Sequence, residues 1–433
     1  MTVRTVRTVR TGRRRTAAAA VAAALTAGAL LAAPAAATPS ATPAVPAVPA
    51  VPAAGAGAGA TLPMTVLSTG LPDKPYSDPT GLNNAGVVVG YAWASGQGGT
   101  SSAIRWNADR SPAVLPPLPG EDNAQALGVN DAGTVIGTSW PAPRSRTEAT
   151  AVRWSAGGTP TALAPLPGDT YSRPVAISAS GIVAGVSSHG GEDHAVAWHP
   201  DGTAVALAPL PGDTRSEAFD VNSAGFAVGV CATGGAGEPH AVLWSPDGTA
   251  AAFVTDPGAV RSWARRINDA GAVVGWADLP EPGLGSLRHG LLRSAGGVLH
   301  DLGPSTYPDA LNSSGEAVGD YQPDPQVPRN HAARWSPQGV LTALDPAPPG
   351  GRTTATDIND SGTAVGYAWD GIPSRQYQSG RIWARGAAAE NLDPTGATNS
   401  ARLVNNSGLV VGLWLPRGAG DLYPYHVAAV WRP

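Results

Sequence analysis

The chain has 433 residues, of which 28 are basic and 32 acidic, with a formal charge of −4 and a single cysteine, Cys231. One cysteine excludes an intrachain disulfide, so stability has to come from packing. Residues 1–37 hold six arginines and no acid; the rest sets 22 basic against 32 acidic residues, a formal charge of −10, so no nucleic-acid partner is expected.

The N-terminus has the layout of a secretory signal. Arg4, Arg7, Arg10 and Arg13-Arg14-Arg15 precede an apolar run over 17–31, and Ala35-Ala36-Ala37 supplies small residues for cleavage. Residues 1–37 are therefore expected to be removed and the protein secreted. Thr16-Ala17-Ala18 fits a twin-arginine signal poorly, which favours general secretion. The apolar run is too short for a good membrane span, and no later segment approaches 18 uninterrupted apolar residues, so no span is expected. Residues 38–63 alternate Pro, Ala, Val and Gly and predict a semi-extended linker.

Residues 64–433 repeat. The frame Asn-x-x-Gly-x-x-x-Gly starts at Asn83, Asn130, Ser178 (where Asn is lost), Asn222, Asn268, Asn312, Asn359 and Asn405. Its first glycines are Gly86, Gly133, Gly181, Gly225, Gly271, Gly315, Gly362 and Gly408, spaced by 44 to 48 residues. That period marks supersecondary units that bury their apolar surface only by stacking. Each unit predicts four short strands, in the second copy over 126–130, 134–140, 149–154 and 160–165, with Val, Ile, Thr and Trp filling them and Gly and Pro between. Asn at the first turn position and Gly at the fourth predict a type I turn closed by a glycine bulge. The third strand ends in Trp106, Trp154, Trp198, Trp244, Trp335, Trp383 and Trp431, with Leu292 in that place in the fifth copy. These rings are expected to anchor neighbouring units. A second turn follows, as in Ser245-Pro246-Asp247-Gly248.

Four antiparallel strands at this period predict an all-β fold, an eight-bladed β-propeller. A spare fourth strand stands at the front (residues 64–73), and the chain stops after a third strand at Trp431. Pairing the two would close the ring and remove a sheet edge. An open solenoid is the alternative, and it leaves this offset unexplained. A monomer is expected.

The repeats resemble the bacterial extracellular family named for a His-Ala-Phe triplet. The match lies in Val221-Asn222-Ser223-Ala224-Gly225-Phe226-Ala227-Val228-Gly229, His240-Ala241-Val242-Leu243-Trp244 and Leu207-Ala208-Pro209-Leu210-Pro211-Gly212, and it covers roughly residues 64–433. The Phe of the triplet is replaced by Val196, Val242, Leu291 and Ala333, and three copies lack the His. The resemblance implies secretion and repeats; it transfers no catalytic residue.

His194, His240, His289, His331 and His426 precede the third strands. Equivalent positions in successive blades lie around a ring, too far apart for ligands about 2 Å from one zinc, so a repeated structural hydrogen bond is expected and no metal or cofactor. Nucleophile-elbow, zinc-protease, phosphate-loop and calcium-loop motifs are absent from the sequence. Glu192-Asp193 and Asp320 with Asp324 are read as solvated loop charge, although carboxylates that meet only in space would escape notice. Length varies most between the second and third strands, on the face opposite the tight turns, as expected where a rigid scaffold displays binding loops. Trp93, Trp140, Trp369 and Trp414, with Trp276 beside them, follow the second motif glycine. Tyr321, Tyr377, Tyr423 and Tyr425 are placed in those loops. These aromatics are the ligand-binding candidates, with inter-blade packing as the competing role. The functional expectation is extracellular recognition of a glycan or a protein. The rivals are a polysaccharide lyase or hydrolase with loop carboxylates near the axis, and a structural spacer at the cell surface.

Overall fold

A computed structural model describes residues 62–432 apart from 95–99, 143–148, 235–236, 255, 257, 284, 325, 328, 345–350, 370–377, 393–397 and 416–425. The signal segment, nearly all of the linker, and Tyr377, Tyr423 and Tyr425 lie outside the described residues.

Eight four-stranded antiparallel sheets follow one another, seven of them with their strands in sequence order. Blade 1 is Tyr76–Leu82, Val88–Trp93, Ser101–Trp106 and Pro112–Leu115. Blade 8 is Thr398–Val404, Val410–Leu415 and Val427–Trp431, and its fourth strand is Met64–Val66. Met64 pairs with Trp431 and Val66 with Ala429, so the ring is closed by the N-terminal strand. Leu67, buried to 1%, extends the contact by donating its N–H to Ala428 (2.9 Å).

Asparagine builds the turns as expected and also links the blades. In each asparagine turn the carbonyl of the first residue accepts from the fourth-position glycine N–H, about 3.0 Å away, and that glycine has φ between 79° and 88° in all eight copies. The Asn83 side-chain oxygen accepts from Val87 N–H (2.9 Å), while its amide donates to the Asn130 carbonyl of the next blade (3.0 Å). The same amide bond runs from Asn130 to Ser178, from Asn222 to Asn268, Asn268 to Asn312, Asn312 to Asn359, Asn359 to Asn405, and from Asn405 back to Asn83. Ser178 turns its hydroxyl onto its own turn, against Ser180 and Ile182.

Eight apolar clusters fill the eight interfaces between blades. Seven contain the third-strand tryptophan, none more than 2% exposed. The indoles of Trp106, Trp154, Trp198 and Trp244 donate to Ser68, Pro116, Ala164 and Ala208 on the preceding blade (2.6 to 2.7 Å).

The fifth copy corrects the sequence reading. Val88 pairs with Trp106 in blade 1 and Val273 pairs with Arg293 in blade 5, so Arg293 holds the tryptophan position and Leu292 is one residue off, facing blade 6. A half-buried arginine cannot fill that volume. The fourth-strand residue turned to each interface is Leu at seven of them (Leu67, Leu115, Leu163, Leu207, Leu302, Leu344 and Leu392) and Phe253 at the interface that lacks the indole. The larger ring takes up space that close packing would otherwise leave empty.

Candidate functional site

Each innermost strand carries a β-bulge, a register shift such as that between Pro79 and Gly81 opposite Gly90 and Val89. The bulge presses the carbonyl of the residue five before the turn asparagine onto the second motif glycine. A Cβ at Gly137 would collide with the Gln125 carbonyl and lie 2.9 Å from the Ala126 Cα, and the corresponding glycines of all eight blades meet the same obstruction. That glycine is required by close backbone approach and not by a positive φ.

The residue that gives this carbonyl is different in every blade: Asp78, Gln125, Arg173, Glu217, Trp263, Tyr307, Thr354 and Ser400. Its cross-strand partners are Tyr91, Thr138, Val186, Val230, Trp276, Asp320, Tyr367 and Leu413. The first strands of neighbouring sheets contact one another all the way round, so these eight pairs lie at one level of the inner side of the ring.

Two arcs of this level differ, with the pairs Asp78 with Tyr91 of blade 1 and Ser400 with Leu413 of blade 8 between them. In blades 2 to 4 the pairs are Gln125 with Thr138, Arg173 with Val186 and Glu217 with Val230, none of them aromatic. In blades 5 to 7 every pair holds a ring. Trp263 stacks on Trp276 (centroids 4.0 Å apart, 26°), and the Arg288 guanidinium lies 3.4 Å over the same Trp276 and 5.8 Å from the Tyr307 ring. Asp278 holds Arg288 (3.3 Å) and Arg261 (2.6 Å), which fixes the cation above the indole. Arg352 lies 4.3 Å over Trp369, and Arg265 pairs with Asp309 (3.1 Å).

Asp320 differs from its sequence reading as solvated loop charge. It lies on the second strand of blade 6, is 5% exposed and accepts from the Asn330 side chain; Asp324 is exposed. Burial, with Asp309 nearby, pushes the Asp320 carboxyl up to about 7. Glu192 and Asp193 lie on a strand and not in a loop, and Asp193 pairs with Arg215 (2.7 Å).

The predicted aromatics occupy three registers. Trp93, Trp140 and Trp369 are equivalent, pairing with Tyr76, Asn123 and Arg352 at the loop-side end. Trp93 joins Tyr76, Tyr91 and His426 in one aromatic group, with centroids 5.2 to 6.1 Å apart. Trp140 is buried to 8%. Trp414 is one register earlier and packs into the interface of blades 7 and 8, while Trp276 faces the axis level. Tyr321 is buried between blades 5 and 6. The axis-level residues Trp263, Tyr307 and Tyr367 went unnoticed in the sequence; aligning the copies on their asparagine and comparing the column five residues earlier exposes two of them.

The histidines take structural partners. His194 and His240 bond through Nδ1 to Asp169 and Asp213, which follow the Leu-Pro-Gly connections (3.0 and 2.9 Å). His289 lies between Asp301 and Glu281, both at 3.0 Å, and these partners outweigh burial and hold its pKa above the ordinary value. His331 lies 6.0 Å from the Tyr321 ring, and burial with Arg329 lowers its pKa. Cys231 is buried, and its thiol is pushed up to about 12, which makes it inert. A cavity of about 300 Å³ lies on the turn face between blades 5 and 6, against Asn268, Ala272, Val298, His300, Gly315 and Pro337. Its lining joins both kinds of tight turn, which places them on one face.

No protein-family model matches the chain, and no curated protein matches it either. Among solved structures, dipeptidyl peptidase 4 of Porphyromonas gingivalis is similar at 12% identity with a TM-score of 0.53, over 75% of this chain and 54% of that one. The β-propeller domain of the Trilobed protease from Pyrococcus furiosus is similar at 9% identity with a TM-score of 0.47, over 82% and 95%. TolB from Acinetobacter baumannii is similar at 13% identity with a TM-score of 0.35, over 56% and 58%. The chain thus spans little more than half the length of the first and the last. At these identities the likeness is one of fold.

Proposed function

We propose that this protein is a secreted recognition propeller of the His-Ala-Phe repeat kind, which holds an extracellular ligand on the loop-side wall around its axis. The observation that supports the reading is the contrast along each innermost strand. Its turn end repeats in seven of eight blades as asparagine, while five residues earlier no two blades agree. A scaffold needs the first regularity; a surface that contacts something asymmetric needs the second variety. The test is binding to an array of polysaccharides and peptides. Substituting Trp369 and Tyr307 by Ala is expected to abolish whatever binding is found, while changing Pro246 and Asp247 in an outer turn leaves it intact. The reverse pattern would move the site to the turn face.

A second reading, a polysaccharide-active enzyme, is favoured by Asp320, a carboxyl that keeps its proton near neutral pH beside aromatic rings. Release of reducing ends from a bound polysaccharide, lost in Asp320→Asn, would establish it. The same group predicts a pH effect on stability. An acid whose folded value lies above its unfolded 3.8 keeps its proton longer in the folded state. Its contribution is therefore complete below about pH 4 and declines as pH rises to about 7. Asp320→Asn is expected to flatten this part of the melting-temperature profile.

A further inference from the structure

We infer that the axis-level wall of blades 5 to 7 is a stacking platform for an uncharged polysaccharide, with Trp263, Tyr307 and Tyr367 as its sugar-facing rings. The inference rests on the recognition reading above and adds the ligand class.

Three observations carry it. The rings stand at one level of three successive blades, each in the cross-strand pair next to the bulge glycine, and all three keep part of their surface exposed. Rings that served only to fill an interface would be covered, as the third-strand tryptophans are. The second observation is rigidity. One face of Trp263 is occupied by Trp276 at 4.0 Å, so its remaining exposure falls on the opposite face and the edges. Trp276 is in turn covered by Arg288, which Asp278 holds. A ring fixed before binding loses little conformational freedom on contact, and a flat apolar face suits the C–H face of a pyranose.

The third observation decides the ligand's charge. Most ionic groups around the platform are already engaged: Arg261 and Arg288 share Asp278, Arg265 pairs with Asp309, Arg402 on blade 8 pairs with Asp78 on blade 1 (2.6 Å), and Arg352 lies over the Trp369 ring. An anionic polymer would have to compete with these carboxylates for the four paired arginines and with the indole for Arg352, and a cationic one with the arginines. An uncharged ligand needs only hydroxyl partners, which the partly exposed Asp309 and Thr354 provide beside the rings.

The experiment is affinity electrophoresis of the mature protein in gels cast with laminarin, xylan, mannan or hydroxyethylcellulose, and with polygalacturonate or heparin, at roughly 50 and 500 mM salt. Binding to a peptide array is measured in parallel. Retardation by at least one neutral polymer, unchanged by salt, is expected. Trp263→Ala should weaken it about tenfold or more and Trp263→Phe much less, as for a stacking contact. Arg173→Ala, on the opposite arc, should leave it unchanged. If Trp263→Ala fails to fold, Tyr367→Ala carries the same expectation. Retardation by the charged polymers alone, or by none, overturns the ligand class, as does a neutral polymer that binds the ring variants as well as the parent. Peptide binding lost in the same variants would overturn the glycan while leaving recognition at this wall standing. Peptide binding insensitive to them would overturn both.

Discussion

Each innermost strand runs between two ends that obey different rules. At the turn end, an asparagine side chain caps its own turn and hands a hydrogen bond to the next blade, from Asn405 across the chain termini to Asn83. Five residues earlier the same strands present eight different side chains. Selection for a closed ring acts on the first end, since each buried polar group there needs its neighbour's partner. The second end has no one partner repeated from blade to blade: Asp78 meets Arg402 of blade 8 and Gln125 donates to Ser101 of blade 1, so its chemistry can vary. The bulge and its glycine separate the two, letting the backbone repeat while the side chains do not.

The largest way to break the constant end is to remove its closure. Deleting residues 1–72 takes away the strand Met64–Val66, the buried Leu67 and the Ser68 carbonyl that accepts the Trp106 indole (2.6 Å). The expected loss is on the order of 5 kcal/mol or more, from lost burial and ladder bonds together with an opened sheet edge. Deleting residues 1–60 should be nearly neutral. Urea denaturation and light scattering of the two truncations check this, and equal midpoints would refute closure by the N-terminal strand.

The next effect tests the separator. In Gly366→Ala the new Cβ would meet the Thr354 carbonyl and lie 2.9 Å from the Ala355 Cα, both backbone atoms that cannot swing away. A loss of roughly 3 to 5 kcal/mol is expected. The same change at Gly202, which has nothing within 4 Å and only its positive φ (92°) to strain, should cost about 1 kcal/mol. If thermal unfolding ranks them the other way, the bulge is not what fixes the second glycine.

The turn asparagines, their glycines and the eightfold count were legible in the sequence because turn chemistry is local and recurs at a fixed period. So was ring closure, since a strand lacking at one end and spare at the other needs only counting. The reason for the second glycine was not legible, because the bulge depends on register between strands. Blade 5 was misplaced for a different reason: Leu292 looks like a hydrophobic substitute for tryptophan, although counting four residues from His289, as from His240 to Trp244, reaches Arg293. Phe253 then becomes intelligible, but only once the two residues are known to share an interface. On the variable side, attention to loop aromatics leads to Trp93 and Trp369 at the loop-side end and passes over Trp263, whose place beside the bulge depends on register between strands.

The smallest prediction sharpens the constant end by completing it. Around the ring, seven positions carry asparagine and each sends its amide to the following blade; Ser178 is the exception, and nothing from its side chain reaches the Asn222 carbonyl. Ser178 already caps its own turn, donating to the Ile182 carbonyl (3.2 Å) and accepting the Ile182 N–H (3.1 Å). Asparagine there can keep the second of these bonds with its oxygen, as Asn130 does with Thr134 N–H (3.0 Å), and add the missing donor across blades 3 and 4. The net value of one buried hydrogen bond is about 1 kcal/mol, so Ser178→Asn should raise stability by roughly that amount. The opposite change, Asn405→Ala, should cost somewhat more, because it leaves the Leu409 N–H and the Asn83 carbonyl in a buried turn without the side chain that serves them both. Urea midpoints of the two variants decide the matter. A neutral Ser178→Asn beside a costly Asn405→Ala would show that the asparagines act by capping their own turns, and that the bonds between blades follow from packing.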